Sequence, residues 1–300
     1  MASTSTDLVN DTLRHLHSTH RDPQNTLAAA LSDTTGTTVQ AGYALGAIAA
    51  GAVISIDLEL MYVWEVTNES TKTFTVQRGY LGSTAATHSL NAVITVNPKF
   101  PAFDVLNAIN DELDDLSGNG LFKTSTVSLT YSPAVEGYNL TSVTGLIEVL
   151  EVKYDEPGPG KEWPLIRNWK LKRDSNTTDF ASGLALVLRD GGHPGNAVRV
   201  TYAKTFARFT ALGQTISTVT GLPVTANDIP PIGAALRLQS FREPQRNFNE
   251  SQPAPRRAGE VQTGAQLVGA RGLEELRRRR IRIEARRLQK DWPAKRKLPS

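Results

Sequence analysis

Three hundred residues are enough for two domains of ordinary size, each burying its own core. Cysteine is absent, which excludes disulfides and thiolate metal sites. The formal charge of +3 is a balance of opposites: residues 271–300 carry twelve Lys/Arg against four Asp/Glu, a net of +8, while the other residues net −5.

Residues 7–20 read as a short helix, capped by Thr6 or Asp7, with Val9, Leu13 and Leu16 along one face. Pro23 ends it by pushing Asp22 out of the helical region. No basic end followed by an apolar core marks residues 1–20 as a signal peptide. The longest apolar run, 41–54, falls short of the roughly 20 residues of a membrane helix. The expectation is a soluble protein made and kept in a cytoplasm, with no membrane partner. A second short helix is expected at 25–31, followed by an extended stretch at 32–40.

Strands are expected at 53–56, 60–66, 72–78 and 92–96, forming a small meander or barrel. In the second, Leu60, Tyr62, Trp64 and Val66 alternate with Glu59, Met61, Val63 and Glu65, the period of a half-buried strand. Between the third and fourth lies the chain's most distinctive stretch, Arg78-Gly79-Tyr80-Leu81-Gly82-Ser83-Thr84-Ala85-Ala86-Thr87-His88. Gly79 and Gly82 permit positive φ in a tight turn. Tyr80 and Leu81 are expected to pack under the loop, and Arg78 or His88 to bond loop carbonyls. The stretch offers no nucleophile–base pair, so it reads as a rigid edge presented to a neighbour.

A helix follows at 101–116, with Val105, Leu106, Ile109, Leu113 and Leu116 as its apolar stripe. Its acids, Asp111-Glu112 and Asp114-Asp115 among them, read as an exposed face. Ser117-Gly118-Asn119-Gly120 stops it. Strands at 122–131, 146–154, 165–173, 182–188 and 197–202, joined by Pro/Gly/Asp-rich connections, predict an antiparallel sandwich of jelly-roll type. Helices are expected at 205–219 and 228–242, an extended arm at 243–270, and a basic helix from 272 to 291 ended by Pro293. The expected architecture is α+β, with domains at 1–120 and 121–242, the arm at 243–270 and the basic end at 271–300.

Other candidate sites are weaker. His15, His17 and His20 lie about 200° and 140° apart on a helix at 100° per residue, so they do not converge on a metal. Gly158-Pro159-Gly160-Lys161 lacks the first glycine and the Ser/Thr of a phosphate loop and reads as a hairpin turn. No cofactor, metal or small-molecule substrate is expected. In the basic helix, Leu273, Leu276, Ile281, Ile283, Ala285 and Leu288 cluster on one side and Arg278, Arg279, Arg282 and Arg286 on the other, with Arg277, Arg280 and Arg287 narrowing the apolar stripe. It can touch phosphates, dock on a partner, or remain solvated with Glu274–Arg278 and Glu275–Arg279 pairs. Trp292 is the one aromatic near it.

The 78–88 stretch, the following Asn97-Pro98-Lys99-Phe100-Pro101 and its helix, Arg199-Val200-Thr201-Tyr202, Gly221-Leu222-Pro223, and the final Ile283-Glu284-Ala285-Arg286-Arg287-Leu288 before Asp291-Trp292-Pro293 occur in a telling order. In these segments the chain resembles tailed-bacteriophage virion proteins of the head-to-tail region, the connector, adaptor or neck proteins and minor tail proteins. Asn91 stands where a glycine is expected. The resemblance implies a non-enzymatic structural protein located in the virion, assembling as a homo-oligomeric ring of twelve or six copies through which DNA passes. Its partners would be itself, portal or tail proteins, and DNA in the lumen through non-specific contact. Residues carried into that assembly role are Arg78, Gly79, Tyr80, Gly82, His88, Leu273, Leu276, Arg278, Arg279, Arg282, Ile283, Arg286, Leu288 and Trp292. A tail-tip or minor tail protein, and a nucleic-acid-binding protein using 271–300, are the alternatives.

Overall fold

The computed structural model describes residues 3–16, 22–154, 164–189, 194–240 and 265–292. The chain is α+β and forms two compact units, residues 1–113 with 208–282 and residues 114–207 with 283–300. Expected boundaries at 120 and 242 therefore move: the segment 208–240 groups with the first unit, and the basic helix is divided between the two. His17, His20, the turn at 158–161, residues 243–264 of the arm and residues 293–300 lie outside the described residues.

The first unit is built on six antiparallel strands, β1 (Gln24–Thr26), β2 (Thr38–Gln40), β3 (Val53–Ile56), β4 (Glu59–Asn68), β5 (Thr73–Gln77) and β6 (Val93–Val96), in the order β1-β6-β3-β4-β5-β2. The sheet curls until its ends meet. Leu27 bridges Ala41, the Ala28 N–H donates to the Gln40 carbonyl at 2.9 Å, and the Gly42 N–H to the Thr26 carbonyl at 2.7 Å. Closure leaves no open edge along these contacts. The expected helix at 25–31 is thus overturned: Asn25 is buried in β1, its side chain bonding the Tyr43 N–H and the Ala44 carbonyl.

Leu27, Val39, Ile54, Ile56, Met61, Val63, Phe74, Val76, Ile94 and Val96 fill the interior. In β4 it is the Met61–Val63 face that points inward, and Trp64 is 58% exposed. A bulge between Val63 and Glu65 shifts the phase by one residue and turns Val66 back to the core.

The helices of this unit are α1 (Ser5–Leu16), α2 (Ala102–Gly118), of which residues 102–113 belong here, α3 (Ile216–Val219) and α4 (Ile229–Ser240). Thr4, rather than Thr6 or Asp7, caps α1: its hydroxyl accepts from the Asp7 N–H while the Asp7 carboxylate takes the Thr4 N–H. Leu8, Val9 and Thr12 are buried, and α1 packs on α4. The expected helix at 205–219 shrinks to α3. Residues 209–214 run irregularly because side chains satisfy their backbone. Asn110 bonds both the N–H and the carbonyl of Phe209, and Gln214 accepts from Thr210 and Ala211.

The second unit holds two three-stranded antiparallel sheets. One runs β7-β12-β9, from β7 (Lys123–Thr130), β9 (Leu146–Tyr154) and β12 (Ala197–Lys204); the other runs β10-β11-β8, from β8 (Gly137–Asn139), β10 (Trp169–Lys172) and β11 (Ala185–Leu188). Tyr138, Leu186 and Leu188 from one sheet meet Val149, Val152, Val198 and Val200 from the other in one core. The sandwich is present, with three strands facing three among the described residues in place of the eight of a jelly roll. Finally, α5 (Ala265–Asp291) begins seven residues before the expected start at 272.

Candidate functional site: the 78–88 loop and its buried charges

Glu59 opens β4 on the same inward face as Met61 and Val63, and its side chain is fully buried. A carboxylate removed from water needs donors at both oxygens. Oε1 receives Arg78 Nε at 2.7 Å and the Gly79 N–H at 3.1 Å; Oε2 receives Arg78 Nη2 at 2.8 Å, the Ala86 N–H at 2.9 Å and His88 Nε2 at 2.9 Å. The loop is folded around this one side chain. Arg78 also bonds the carbonyls of Asp33, Gly36 and Ala86, as the sequence suggested it would bond carbonyls.

His88 is 1% exposed at its side chain, and its Nδ1 lies 3.0 Å from Asp57 Oδ2. Its backbone exchanges 2.9 Å hydrogen bonds with Leu31 in both directions. Burial pulls the imidazole pKa down, but the bonds to Asp57 and Glu59 outweigh it and hold the pKa at about 9. Burial likewise works to raise the Glu59 pKa, and Arg78, His88 and the Ala86 and Gly79 amides bring it instead to about 2. At neutral pH the ring is an imidazolium donating from both nitrogens, and the carboxylate is saturated. Neither offers a free base, so the arrangement acts as a buckle.

The loop backbone follows from this clamp. Gly79 and Gly82 take φ of 62° and 82°, as the sequence predicts, and a Cβ on Gly79 would come within 3.1 Å of the Ser83 carbonyl. The buried Ser83 hydroxyl accepts from the Leu60 N–H at 2.9 Å and donates to the Tyr80 carbonyl at 2.9 Å. Asn91 has φ 64°, the left-handed conformation of the glycine expected there.

What the loop shows to solvent differs from expectation. Leu81, expected underneath, has φ 51° and is 68% exposed. Tyr80 lies 5.3 Å from Tyr62 between ring centroids, and Tyr62 meets Trp64 edge-on at 5.2 Å. Tyr80, Tyr62 and Trp64 thus form a chain of ring contacts, the tyrosines half-buried and Trp64 exposed, with exposed Leu81 next to Tyr80 in the loop. Beside the buckle, a cavity of about 400 Å³ opens between Asp57, Leu58 and His88 on one side and Phe103, Leu106 and Phe209 on the other.

Sequence reasoning missed Glu59 and Asp57. The signal for Glu59 was present: it is an acid in phase with Met61 and Val63, and a charge on a core-facing phase demands a cation. A second buried carboxylate was also missed. Glu112, read as part of an exposed acidic face, is 1% exposed and lies in phase with Val105, Ile109 and Leu116. Its oxygens bind Arg277 Nε at 2.5 Å and Arg237 Nε at 3.5 Å. Asp111 is exposed and pairs with Arg208.

The same contacts reverse the face assigned to the basic helix. Arg277 and Arg280, which narrowed the apolar stripe, are its anchors, Arg280 holding Asp228 at 2.6 Å and the Thr225 carbonyl. Ile281 and Glu284 are buried, whereas Leu276 and Ile283 are 43% and 45% exposed. Leu273, Leu288 and Trp292 are half-buried. Arg278, Arg279, Arg282 and Arg286 are exposed, Arg278 pairing with Glu274 as expected.

Among the described residues no cluster of His, Cys, Asp and Glu is arranged to hold a metal ion, and no helix is long and apolar enough to cross a membrane. In comparisons with known proteins, the chain matches no family model and no curated protein.

Proposed function

We propose that this chain is a non-enzymatic structural protein of a tailed-phage virion, assembling as a homo-oligomeric ring at the head-to-tail junction through which DNA passes. One observation carries the reading beyond the sequence resemblance. The loop that bears the resemblance is clamped by five donors on a buried carboxylate, and it sets Tyr80 against Tyr62 and the exposed Trp64 of β4. Rigid aromatics with little side-chain entropy to lose are the residues that dominate protein–protein contacts. A patch held this way suits a fixed contact between neighbours in an assembly.

The test is made in infected cells. Phage lacking this chain are expected to fill heads with DNA and fail to join tails, and wild-type chain supplied in trans restores joining. Mature, tailed, infectious particles formed without the chain would contradict the proposal.

A further inference from the structure

We propose that β7 is a self-pairing edge, joining two copies of this chain antiparallel about Val127. The inference stands apart from the ring reading and rests on a different unit. In β7, the pairing with β12 is fixed by the Tyr131 N–H donating to the Asn196 carbonyl and by the register Thr130–Ala197 through Lys123–Lys204. Antiparallel alternation then sends the N–H and C=O of Tyr131, Leu129, Val127, Ser125 and Lys123 toward β12. Those of Thr124, Thr126, Ser128 and Thr130 point the other way, and among the described residues none of these groups has a hydrogen-bond partner.

The other sheet edges among the described residues are guarded along all or part of their length. The first unit's sheet closes on itself. The outer side of β9 is covered at Val152–Tyr154 by residues 164–166, through the Tyr154 N–H to the Pro164 carbonyl and the Ile166 N–H to the Val152 carbonyl, and Arg173 takes the Ile147 carbonyl further along. β8 has three residues, and β10 has four with exposed Lys170 and Lys172. These are the usual devices against edge-to-edge pairing. β7 has eight residues, no proline, and no charge beyond Lys123 at its start.

The partner is a second copy because β7 is self-complementary and a second copy offers the same open edge. With a two-fold axis at Val127, Thr124 faces Thr130 of the second copy and Thr126 faces its Ser128. Every outward N–H and C=O from 124 to 130 then meets a partner. The exposed side chains make Thr–Thr and Thr–Ser cross-strand pairs, Val127 meets Val127, and Lys123 lies opposite Tyr131, so no like charges oppose. Shifting the axis by one residue leaves outward groups at the ends unpaired.

The register makes the test specific. The full chain is examined by sedimentation and native mass spectrometry, with hydrogen exchange at the amides of Thr124, Thr126, Ser128 and Thr130. Those amides are expected to slow at least tenfold as concentration rises through the association. Thr126→Lys with Ser128→Lys places lysine opposite lysine and is expected to weaken the pair at least tenfold. Thr126→Glu with Ser128→Lys places glutamate opposite lysine and restores it. Both pairs of changes are on exposed side chains, and circular dichroism checks that the fold is kept. Exchange at these amides that ignores concentration, or a double-lysine chain that associates like wild type, would overturn the proposal. Larger oligomers whose mass and stability are the same in wild type and the double-lysine chain refute β7 pairing and leave the ring reading standing. A β7-dependent dimer with no larger species upholds the pair and counts against the ring.

Discussion

Replacing Glu59 by glutamine removes the charge that Arg78 and His88 share while keeping the shape of the side chain. Two buried cations then face each other, with the largely exposed Asp57 carboxylate as the one counter-charge left beside His88. Breaking one member of a buried pair costs about 3–5 kcal/mol, and that loss is expected in the first unit. Because the chain has two units, whole-chain melting is not a two-state measurement. Hydrogen exchange at amides of β3, β4 and β6 reads the loss where it occurs, with the second unit as the internal control.

The same side chains set a pH window. His88 has its pKa raised from 6.5 to about 9, so its stabilisation is complete below about 6.5 and is lost as pH climbs through about 9. Glu59 has its pKa lowered from 4.5 to about 2, so its contribution is present above about 4.5 and is lost as pH falls through about 2. The first unit is therefore expected to be most stable between about 4.5 and 6.5, weakening steadily toward pH 9. In Glu59→Gln the alkaline limb should flatten, since the imidazolium loses the partner at Nε2. A wild-type profile unchanged from pH 6 to 9 would refute the imidazolium assignment.

At the scale of elements, α2 and α4 meet at a site where a carboxylate stands in for a side chain. A Cβ added to Gly233 would land on the Glu112 carboxyl group. Gly233→Ala must push that carboxylate away from Arg277 and Arg237, and overpacking of this kind costs about 1–3 kcal/mol. The expected readout is faster amide exchange in α4 and earlier proteolysis of α5, with the barrel unchanged.

This site also marks how far the sequence could be read. The apolar stripe of α2 was legible because Val105, Ile109, Leu113 and Leu116 repeat at helical spacing, and β3, β5, β6 and β9 were legible from short β-branched runs between turn residues. Glu112 was not, because its partner Arg277 lies 165 residues away and its phase with Val105, Ile109 and Leu116 is the one local mark it carries. Glu59 carried a local mark in its phase with Met61 and Val63, but its partners Arg78 and His88 lie 19 and 29 residues away. The β4 bulge was not legible, since an alternating pattern carries no sign of where one extra residue shifts its phase. Residues 205–214 read as helical but are held irregular by Asn110 and Gln214, a tertiary override of local preference.

For the whole molecule, charge and contacts divide the labour. The acidic remainder of the chain supplies Glu112 and Asp228, and the basic end answers with Arg277 and Arg280. That leaves Arg278, Arg279, Arg282 and Arg286 outward on α5. The basic helix thus sets its first anchors within its own chain, and docking on a partner, one of the readings its sequence left open, falls to its outward face. The aromatic patch beside the 78–88 loop and the outward arginines are surfaces available for the proposed ring, and the patch is the one of these two whose geometry is locked by buried charge.

The central claim is that this patch joins copies of the chain. Native mass spectrometry of the purified protein, wild type against Trp64→Asp with Leu81→Asp, tests it most directly. Both residues are more than half exposed, so the fold should survive the change. The account predicts a closed oligomer for wild type and its loss, with at least tenfold weaker association, in the variant. An oligomer of unchanged mass and stability in the doubly substituted chain, or a wild-type chain that remains monomeric even when extracted from virions, would contradict it.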